Sequence, residues 1–323
     1  MKALCVFSGG LDSILAAQLI RVQGIDVLGL FFETPFFTSK KAKISARSMD
    51  LPLKVIDITN RHLEVVKAPR HGYGGNMNPC IDCHALMFRI AGELLEQEGS
   101  DFVISGEVLG QRPMSQNKQS LAVVASDSDL DGLLLRPLSA KHLPQTIPEE
   151  KGWVRRELLM DFKGRTRKPQ MELARKFELE DYPSPAGGCL LTEKVFSRRL
   201  KDLLSAQNDP NRGHIELLKL GRHFRIAPHT KLVVGRNKGE NEEICALSQE
   251  NDLLLTSRSV PGPTVLLSGV CSDAFLKLAA AITAAYSDVE GHDAVDVRVR
   301  EGSKDRMLMT RVHNKAEFKC YMI

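Results

Sequence analysis

The sequence lacks any apolar stretch long enough to span a membrane, because no run approaches the ~18 residues that a bilayer requires. The sequence does not predict a secretion leader, since only residues 3–7 are apolar before Ser8 and Gly9 interrupt the run. The seven cysteines are unevenly spaced and do not suggest a disulfide framework. These absences predict a cytoplasmic protein without membrane attachment. Some of its cysteines are then expected to serve metal or redox chemistry, and others to be buried.

Positive charge is scarce in the first half of the chain and concentrated in the second. Residues 1–150 contain 15 Lys and Arg against 17 Asp and Glu, whereas residues 151–323 contain 29 against 23. Most of the excess lies in residues 151–236, with 19 against 10. A length of 323 residues suits two domains, which we place at 1–185 and 186–323. The basic segment predicts contact with a nucleic-acid backbone.

A phosphate-binding turn is predicted near the start of the chain, where an apolar segment breaks into Ser-Gly-Gly-Leu-Asp-Ser at residues 8–13. Glycines let a backbone pass close to an anion, and the free N–H groups of the following helix attract that anion. The lysine that a kinase-type loop directs at terminal phosphates is absent. The segment resembles instead the pyrophosphatase (PP) loop of enzymes that adenylate a substrate and release pyrophosphate.

Apolar segments alternate with helical patterns through the first half, which predicts an α/β fold with a doubly wound parallel sheet. A nucleotide would then bind at the carboxyl ends of the strands. After the first strand, further strands are predicted at residues 25–32, 53–58, 102–105 and 133–135. Helices are predicted near residues 39–49, 83–97, 151–162, 169–177 and 194–204.

Three cysteines lie in two segments rich in small residues. Cys80 and Cys83 form a Cys-x-x-Cys motif after the Gly-, Asn- and Pro-rich segment 71–79, and Cys189 follows a pair of glycines. Such a motif alone suits a redox pair, part of a zinc site or two packed thiols. An iron–sulfur cluster usually has four cysteines, so three would leave one metal position open.

Several segments taken together resemble the tRNA 4-thiouridine synthetase family, namely residues 31–43, 80–91, 104–111 and 135–138. Residues 78–80 also resemble the related tRNA 2-thiouridylases. The resemblance covers roughly residues 1–190 and implies a PP-loop ATP pyrophosphatase domain that uses ATP and Mg²⁺. It implies that ATP phosphates are held by Ser8, Gly9, Gly10, Asp12 and Ser13. It also implies that Phe32 borders the adenine and that Gly106 and Gln111 line the adenylate pocket.

The resemblance also bears on the three cysteines, because thiouridine synthetases with this pattern are similar to cluster enzymes. It implies a [4Fe–4S] cluster held by Cys80, Cys83 and Cys189, with sulfide or a persulfide as the sulfur donor. An alternative is persulfide chemistry in which Cys189 carries the sulfur and Cys83 resolves it, and Zn²⁺ or no metal also remains open. The catalytic residues expected from this resemblance are Asp12, Cys83 and Cys189.

From about residue 215 the chain resembles the RNA-binding module at the C-terminus of the NFACT proteins. The segments that carry the resemblance are residues 232–241, 251–255, 260–265, 277–287 and 295–300. They imply a smaller α+β domain that binds RNA, although Ser259 and Pro263 stand where the family usually has His and Ser.

The sequence therefore predicts an ATP-dependent tRNA sulfurtransferase that adenylates a uridine carbonyl and replaces its oxygen with sulfur. The alternative is a non-catalytic RNA- or ribosome-binding factor whose nucleotide domain acts as a scaffold. The sequence leaves open which tRNA position is modified and whether 4-thio- or 2-thiouridine forms. It also leaves open the oligomeric state, a homodimer included.

Overall fold

The computed structural model describes residues 1–130, 132–179, 182, 189–207, 209–291 and 293–323. The chain divides into two compact units, Met1–Thr192 and Glu193–Ile323. This division lies a few residues beyond the boundary predicted at residue 185, which is itself outside the described residues.

A five-stranded parallel sheet forms the centre of the first unit. Its strands are β1 (Lys2–Val6), β2 (Asp26–Glu33), β3 (Leu53–Asp57), β4 (Phe102–Ser105) and β5 (Leu134–Leu135). They lie in the order β3-β2-β1-β4-β5, and each neighbouring pair is parallel. The predicted doubly wound sheet is therefore confirmed. The strand order reverses direction at β1, so the crevice expected to receive a ligand lies at the carboxyl ends of β1 and β4.

Helices cover both faces of this sheet. The side chains of β1 are apolar on both faces, and packing against helices buries them. The helices are α1 (Leu11–Arg21), α2 (Lys40–Ser48), α3 (Thr59–Lys67), α4 (Cys80–Glu93), α5 (Lys118–Asp127), α6 (Ile147–Glu150) and α7 (Lys168–Lys176). Cys5 and Phe7 pack in one layer with residues of α1 and α2. Leu4 packs in the opposite layer with residues of α4 and α5. The N-terminus of α1 thus follows the end of β1, whereas α4 follows α3 and the loop of residues 68–79.

The helix predicted at residues 151–162 is wrong. Gly152 has a φ of +68°, and only the short 3₁₀ turn Arg156–Leu158 forms in that segment. The backbone N–H of Met160 donates to the carbonyl of Pro137 at 2.9 Å, and that of Phe162 donates to Leu138 at 2.8 Å. These N–H groups bond to the segment after β5, so they cannot close helical turns.

The second unit is built on a six-stranded antiparallel sheet. Its strands are β6 (Arg222–Ala227), β7 (Thr230–Val234), β8 (Leu253–Ser257), β9 (Thr264–Gly269), β10 (Ala294–Glu301) and β11 (Lys304–Arg311), in the order β11-β10-β8-β9-β7-β6. Its helices are α8 (Lys194–Ala206), α9 (Arg212–Leu217), α10 (Lys238–Leu247) and α11 (Asp273–Ala285). The small residues of α11 pack on one face of the sheet, including Ala279, Ala280 and Ala284. The predicted α+β architecture is confirmed. Of the helices in the described ranges, none has the length and apolar character to cross a membrane.

Candidate active site

The predicted phosphate loop lies between β1 and the N-terminus of α1. Gly9 has a φ of +75°, and a Cβ there would lie 2.6 Å from Ala42 Cα in α2, so only glycine fits. Ser13 Oγ donates to the carbonyl of Gly10 at 2.8 Å, and the Gly10 N–H donates to Ser8 Oγ at 3.3 Å. Gly10 precedes α1 and has no side chain to cap it. The loop therefore presents hydroxyls and helix N–H groups in the form that binds phosphate.

Asp12 lies on the first turn of α1, and one of its carboxylate oxygens accepts no hydrogen bond from the described residues. Its Oδ2 accepts a hydrogen bond from Gln111 Nε2 at 3.0 Å, whereas its buried Oδ1 has no hydrogen-bond partner among the described residues. A buried carboxylate oxygen without a donor is costly unless something binds it, and Mg²⁺ prefers such hard oxygen ligands. The position of Asp12 therefore fits a cation held beside the phosphate loop.

Gly106 brings the end of β4 against this loop. A Cβ on Gly106 would lie 2.5 Å from the backbone N of Ser13 and 2.6 Å from the backbone C of Asp12. Phe32, in contrast, is 2% exposed and packs in the core with Leu4. The predicted contact between Phe32 and adenine stays a prediction, as do the roles assigned to the other site residues.

A buried ionic network begins at the residue after Gly106. Glu107 Oε2 accepts from Arg136 Nε at 2.8 Å, and Glu107 Oε1 lies 2.7 Å from His84 Nδ1. Burial alone would raise the pKa of Glu107, but the Arg136 guanidinium and His84 outweigh it and hold that pKa at about 2. His84 immediately follows Cys83 on α4, so the network joins the phosphate loop to the helix that carries the thiols. No motif in the sequence predicts this network.

Cys80 and Cys83 lie on the first turn of α4, at the end of the glycine-rich loop. The Cys83 N–H donates to the carbonyl of Pro79 at 2.8 Å and closes that turn. Asn78 Nδ2 donates to Cys80 Sγ at 3.3 Å. The loop therefore positions one thiol with a side chain and the other with the helix.

Cys189 is held beside the same loop by the turn that follows it. Asn76 Nδ2 donates to the carbonyl of Thr192 at 2.7 Å, and the Thr192 N–H donates to the carbonyl of Cys189 at 2.9 Å. The small residues before Cys189, at positions 183–188, lie outside the described residues.

The three thiols are close enough to influence one another. Burial raises the pKa of Cys83 well above its ordinary value, and Cys189 and Cys80 raise it further. Burial likewise raises the pKa of Cys189 to about 11, partly offset by the backbone N–H of Leu191. Within the described ranges no three His, Cys, Asp or Glu side chains are arranged as a metal-binding group. The structure thus brings the predicted thiols together without an arrangement ready for a metal.

His62 on α3 is a further residue of this region that the sequence analysis missed. It is fully buried, its Nε2 lies 3.2 Å from Cys83 Sγ, and its ring packs against Phe36 and Phe37. Burial lowers the pKa of His62 to about 4, so the ring is neutral at pH 7. Its Nδ1 has no hydrogen-bond partner in the described part of the chain. No motif surrounds His62, so only the fold reveals it.

Comparison with known proteins confirms both resemblances. Residues 1–143 match the family model described as Thiamine biosynthesis protein (ThiI), and residues 221–322 match the NFACT protein RNA binding domain. The chain is 33% identical over 147 residues to a probable tRNA sulfurtransferase of Caldanaerobacter subterraneus, covering 42% of this chain and 36% of that protein. It is 28% identical over 221 residues to the tRNA-specific 2-thiouridylase MnmA of Karelsulcia muelleri, covering 63% and 54%.

The chain spans about a third to a half of the length of these relatives. Among solved structures, a predicted tRNA methyltransferase subunit from Methanocaldococcus jannaschii covers 55% of this chain and 76% of its own, at 17% identity. The TM-score of this pair is 0.37.

Proposed function

We propose that this protein is an ATP-dependent tRNA sulfurtransferase that adenylates a uridine carbonyl and replaces its oxygen with sulfur. The observation that supports this function most is the continuous set of contacts from the phosphate loop to the thiols. Gly106 touches the backbone of Asp12 and Ser13, Glu107 binds His84, and His84 adjoins Cys83. An enzyme that activates a carbonyl with ATP and then delivers sulfur needs these two sites side by side.

In the first step, the uridine carbonyl oxygen attacks the α-phosphorus of ATP. A bond from oxygen to the α-phosphorus forms, the bond from that phosphorus to the bridging oxygen breaks, and pyrophosphate leaves. The N–H groups of α1 and the hydroxyls of Ser8 and Ser13 would hold the phosphates, and the free Oδ1 of Asp12 would hold Mg²⁺. In the second step a sulfur nucleophile adds to the activated carbon, and AMP departs with the original oxygen.

The sulfur is expected at Cys80, Cys83 and Cys189. Thiols are the type of ligand that binds a [4Fe–4S] cluster. The other four cysteines are elsewhere, with Cys5 buried in β1 and three exposed in the second unit. Such a cluster, when bound, supplies an iron that can hold sulfide. Because burial raises the pKa of Cys83 and Cys189, both thiols must lose protons to bind metal. Persulfide transfer from Cys189, resolved by Cys83, is the alternative use of the same thiols.

The test is the identity of the products formed from ATP, a tRNA transcript and a sulfide donor, with label at the α-phosphate to follow AMP or ADP and at the γ-phosphate to follow pyrophosphate or phosphate. We expect AMP and pyrophosphate, and we expect Asp12→Ala to abolish their release with the fold intact. Asp26→Ala is the matched control, because Asp26 is exposed at the opposite end of the sheet. ADP and phosphate as products would contradict the proposal. A chain that binds tRNA but releases no pyrophosphate would support the non-catalytic RNA-binding factor instead.

A further inference from the structure

One half of the second sheet has an exposed face. On one side of the sheet, α11 packs on Val295, Val297 and Val299 of β10. On the other side, α9 and α10 pack on β7 and β9, where Ile244 meets Val233 and Leu266. Among the described residues of the second unit, no helix covers this second side at β10 and β11.

The strand register shows which side chains form this surface. Directly opposite residues of antiparallel strands share a face, and Arg298 lies opposite Met307 on β11 and Thr256 on β8. Along β10 and β11, residues at every second position point the same way. We call the resulting surface the open face, and it comprises Asp296, Arg298, Arg300, Asp305, Met307, Met309 and Arg311.

The open face carries three arginines, Arg298, Arg300 and Arg311, against two carboxylates, Asp296 and Asp305, so its net charge is positive. Arg298 forms an ion pair with Asp305, and Arg300 Nε lies 3.6 Å from Asp305 Oδ1. The hydrogen bond from Arg298 lowers the pKa of Asp305, so this carboxylate is ionised at pH 7 and neutralises only part of the two guanidinium groups. Arg311 is exposed and has no ion pair within the described residues. A polyanion would therefore be attracted to this surface.

Apolar contact is also available there. Met309 is 79% exposed and Met307 is 43% exposed, although both are on a regular strand. Methionine is flexible and polarisable and adapts to flat partners, while arginine binds phosphate in a bidentate manner and stacks on bases. Methionine and arginine together suit a nucleic-acid strand that presents both phosphates and base faces.

We infer that the open face is the surface by which the second unit binds tRNA. This inference rests on the proposed function and on the match of residues 221–322 to an RNA-binding domain. Arg300 and Arg311 contact phosphates, and Met307 and Met309 pack against exposed bases or riboses. Asp305 opposes binding, because it competes with phosphate for Arg298 and Arg300.

The experiment measures binding of the full chain to a fluorescently labelled tRNA transcript by anisotropy at several salt concentrations. Arg300→Glu with Arg311→Glu should weaken binding roughly tenfold or more and reduce the slope of log affinity against log salt by about 1.5. The matched control is Lys304→Glu with Arg306→Glu, which makes the same charge change on the same hairpin but on the α11 side. Asp305→Asn should tighten binding.

The outcomes separate this inference from the function on which it rests. Equal losses in the two double variants would show that only overall charge matters and would overturn the open face while leaving tRNA binding intact. Normal binding by Arg300→Glu with Arg311→Glu, or weaker binding by Asp305→Asn, would also overturn it. If the wild-type chain does not bind tRNA, the proposed function fails together with the inference. Circular dichroism of each variant verifies that the sheet is folded.

Discussion

The ion pair between Glu107 and Arg136 provides the sharpest test of the site's architecture. Both side chains are almost fully buried, and Arg136 also donates from Nη2 to the carbonyl of Leu121 at 3.1 Å. Arg136→Met keeps the length of the side chain and removes its charge. Breaking a buried pair from one side costs about 3–5 kcal/mol, because the remaining charge is left uncompensated. We therefore expect the first unit to lose a large part of its stability.

The pH dependence of this loss has a defined sign. In the wild type the folded pKa of Glu107 is about 2 against an ordinary 4.5, which corresponds to about 3 kcal/mol of stability at neutral pH. That contribution is fully present above pH 4.5 and is lost as the pH falls to about 2. Without Arg136, burial is opposed by His84 alone, so the folded pKa of Glu107 rises and less stability depends on its ionised form. The difference in stability between wild type and variant should therefore shrink as the pH falls from 4.5 towards 2.

The chain contains a convenient probe for this measurement. Trp153 is the only tryptophan, lies in the first unit and packs against Phe102. Urea unfolding followed by Trp153 fluorescence therefore reports on the first unit alone. The control is Arg61→Met, which breaks a bidentate pair with Glu93 that is about half exposed and is expected to cost about 0–1 kcal/mol. Equal losses in the two variants, or a loss from Arg136→Met that does not change with pH, would refute the reasoning.

Three further predictions concern the same unit. Gly106→Ala should displace the first turn of α1, lower the free energy of unfolding by about 1–3 kcal/mol and weaken ATP binding measured by calorimetry. The control is Gly75→Ala, where a Cβ meets no atom within 4 Å, and it should change neither quantity. Alanine at any one of Cys80, Cys83 or Cys189 should remove iron and inorganic sulfide from anaerobically purified protein. The control variants Cys245→Ala and Cys271→Ala should retain both. Colourless protein with one zinc, or metal-free protein fully active with a persulfide donor, would reject the cluster. His62→Leu should flatten the pH dependence of unfolding between pH 6.5 and about 4, because the unfolded chain protonates His62 in that range and the folded chain does not; an unchanged profile would contradict this.

The fold was predictable wherever local patterns and tertiary structure agree. The apolar run of β1 and the break at residues 8–13 predicted the first strand, turn and helix, because a parallel sheet buries its strands on both faces. The prediction of a helix at residues 151–162 was wrong, because the helical pattern carries no information about the carbonyls of Pro137 and Leu138, which accept the N–H groups of Met160 and Phe162. Helices α3 and α5 were not predicted, since their buried positions are shared with polar residues.

The site residues also differ in whether the sequence could predict them. Those in motifs, such as Asp12 and Cys83, could be proposed from sequence because their chemistry depends on close neighbours in the chain. His62 and Arg136 could not, because each meets its partner across 21 or 29 residues and neither spacing belongs to a motif. The open face could not be predicted from sequence either, because the side of a strand that faces solvent depends on where α10 and α11 end.

The thiols show how two opposing effects decide the state of the site. The N-terminus of a helix such as α4 favours a thiolate on its first turn, and this effect lowers a thiol pKa. Burial acts in the opposite direction on Cys83, and the neighbouring thiols add to it, so its pKa is raised well above the ordinary value. Burial therefore prevails, and Cys83 is a neutral thiol beside a neutral His62 until a metal or a sulfur donor binds. Binding of a metal or cluster must then release protons and is favoured by high pH, whereas transfer from a persulfide donor releases no net proton but becomes faster at high pH, because the attacking group is the thiolate.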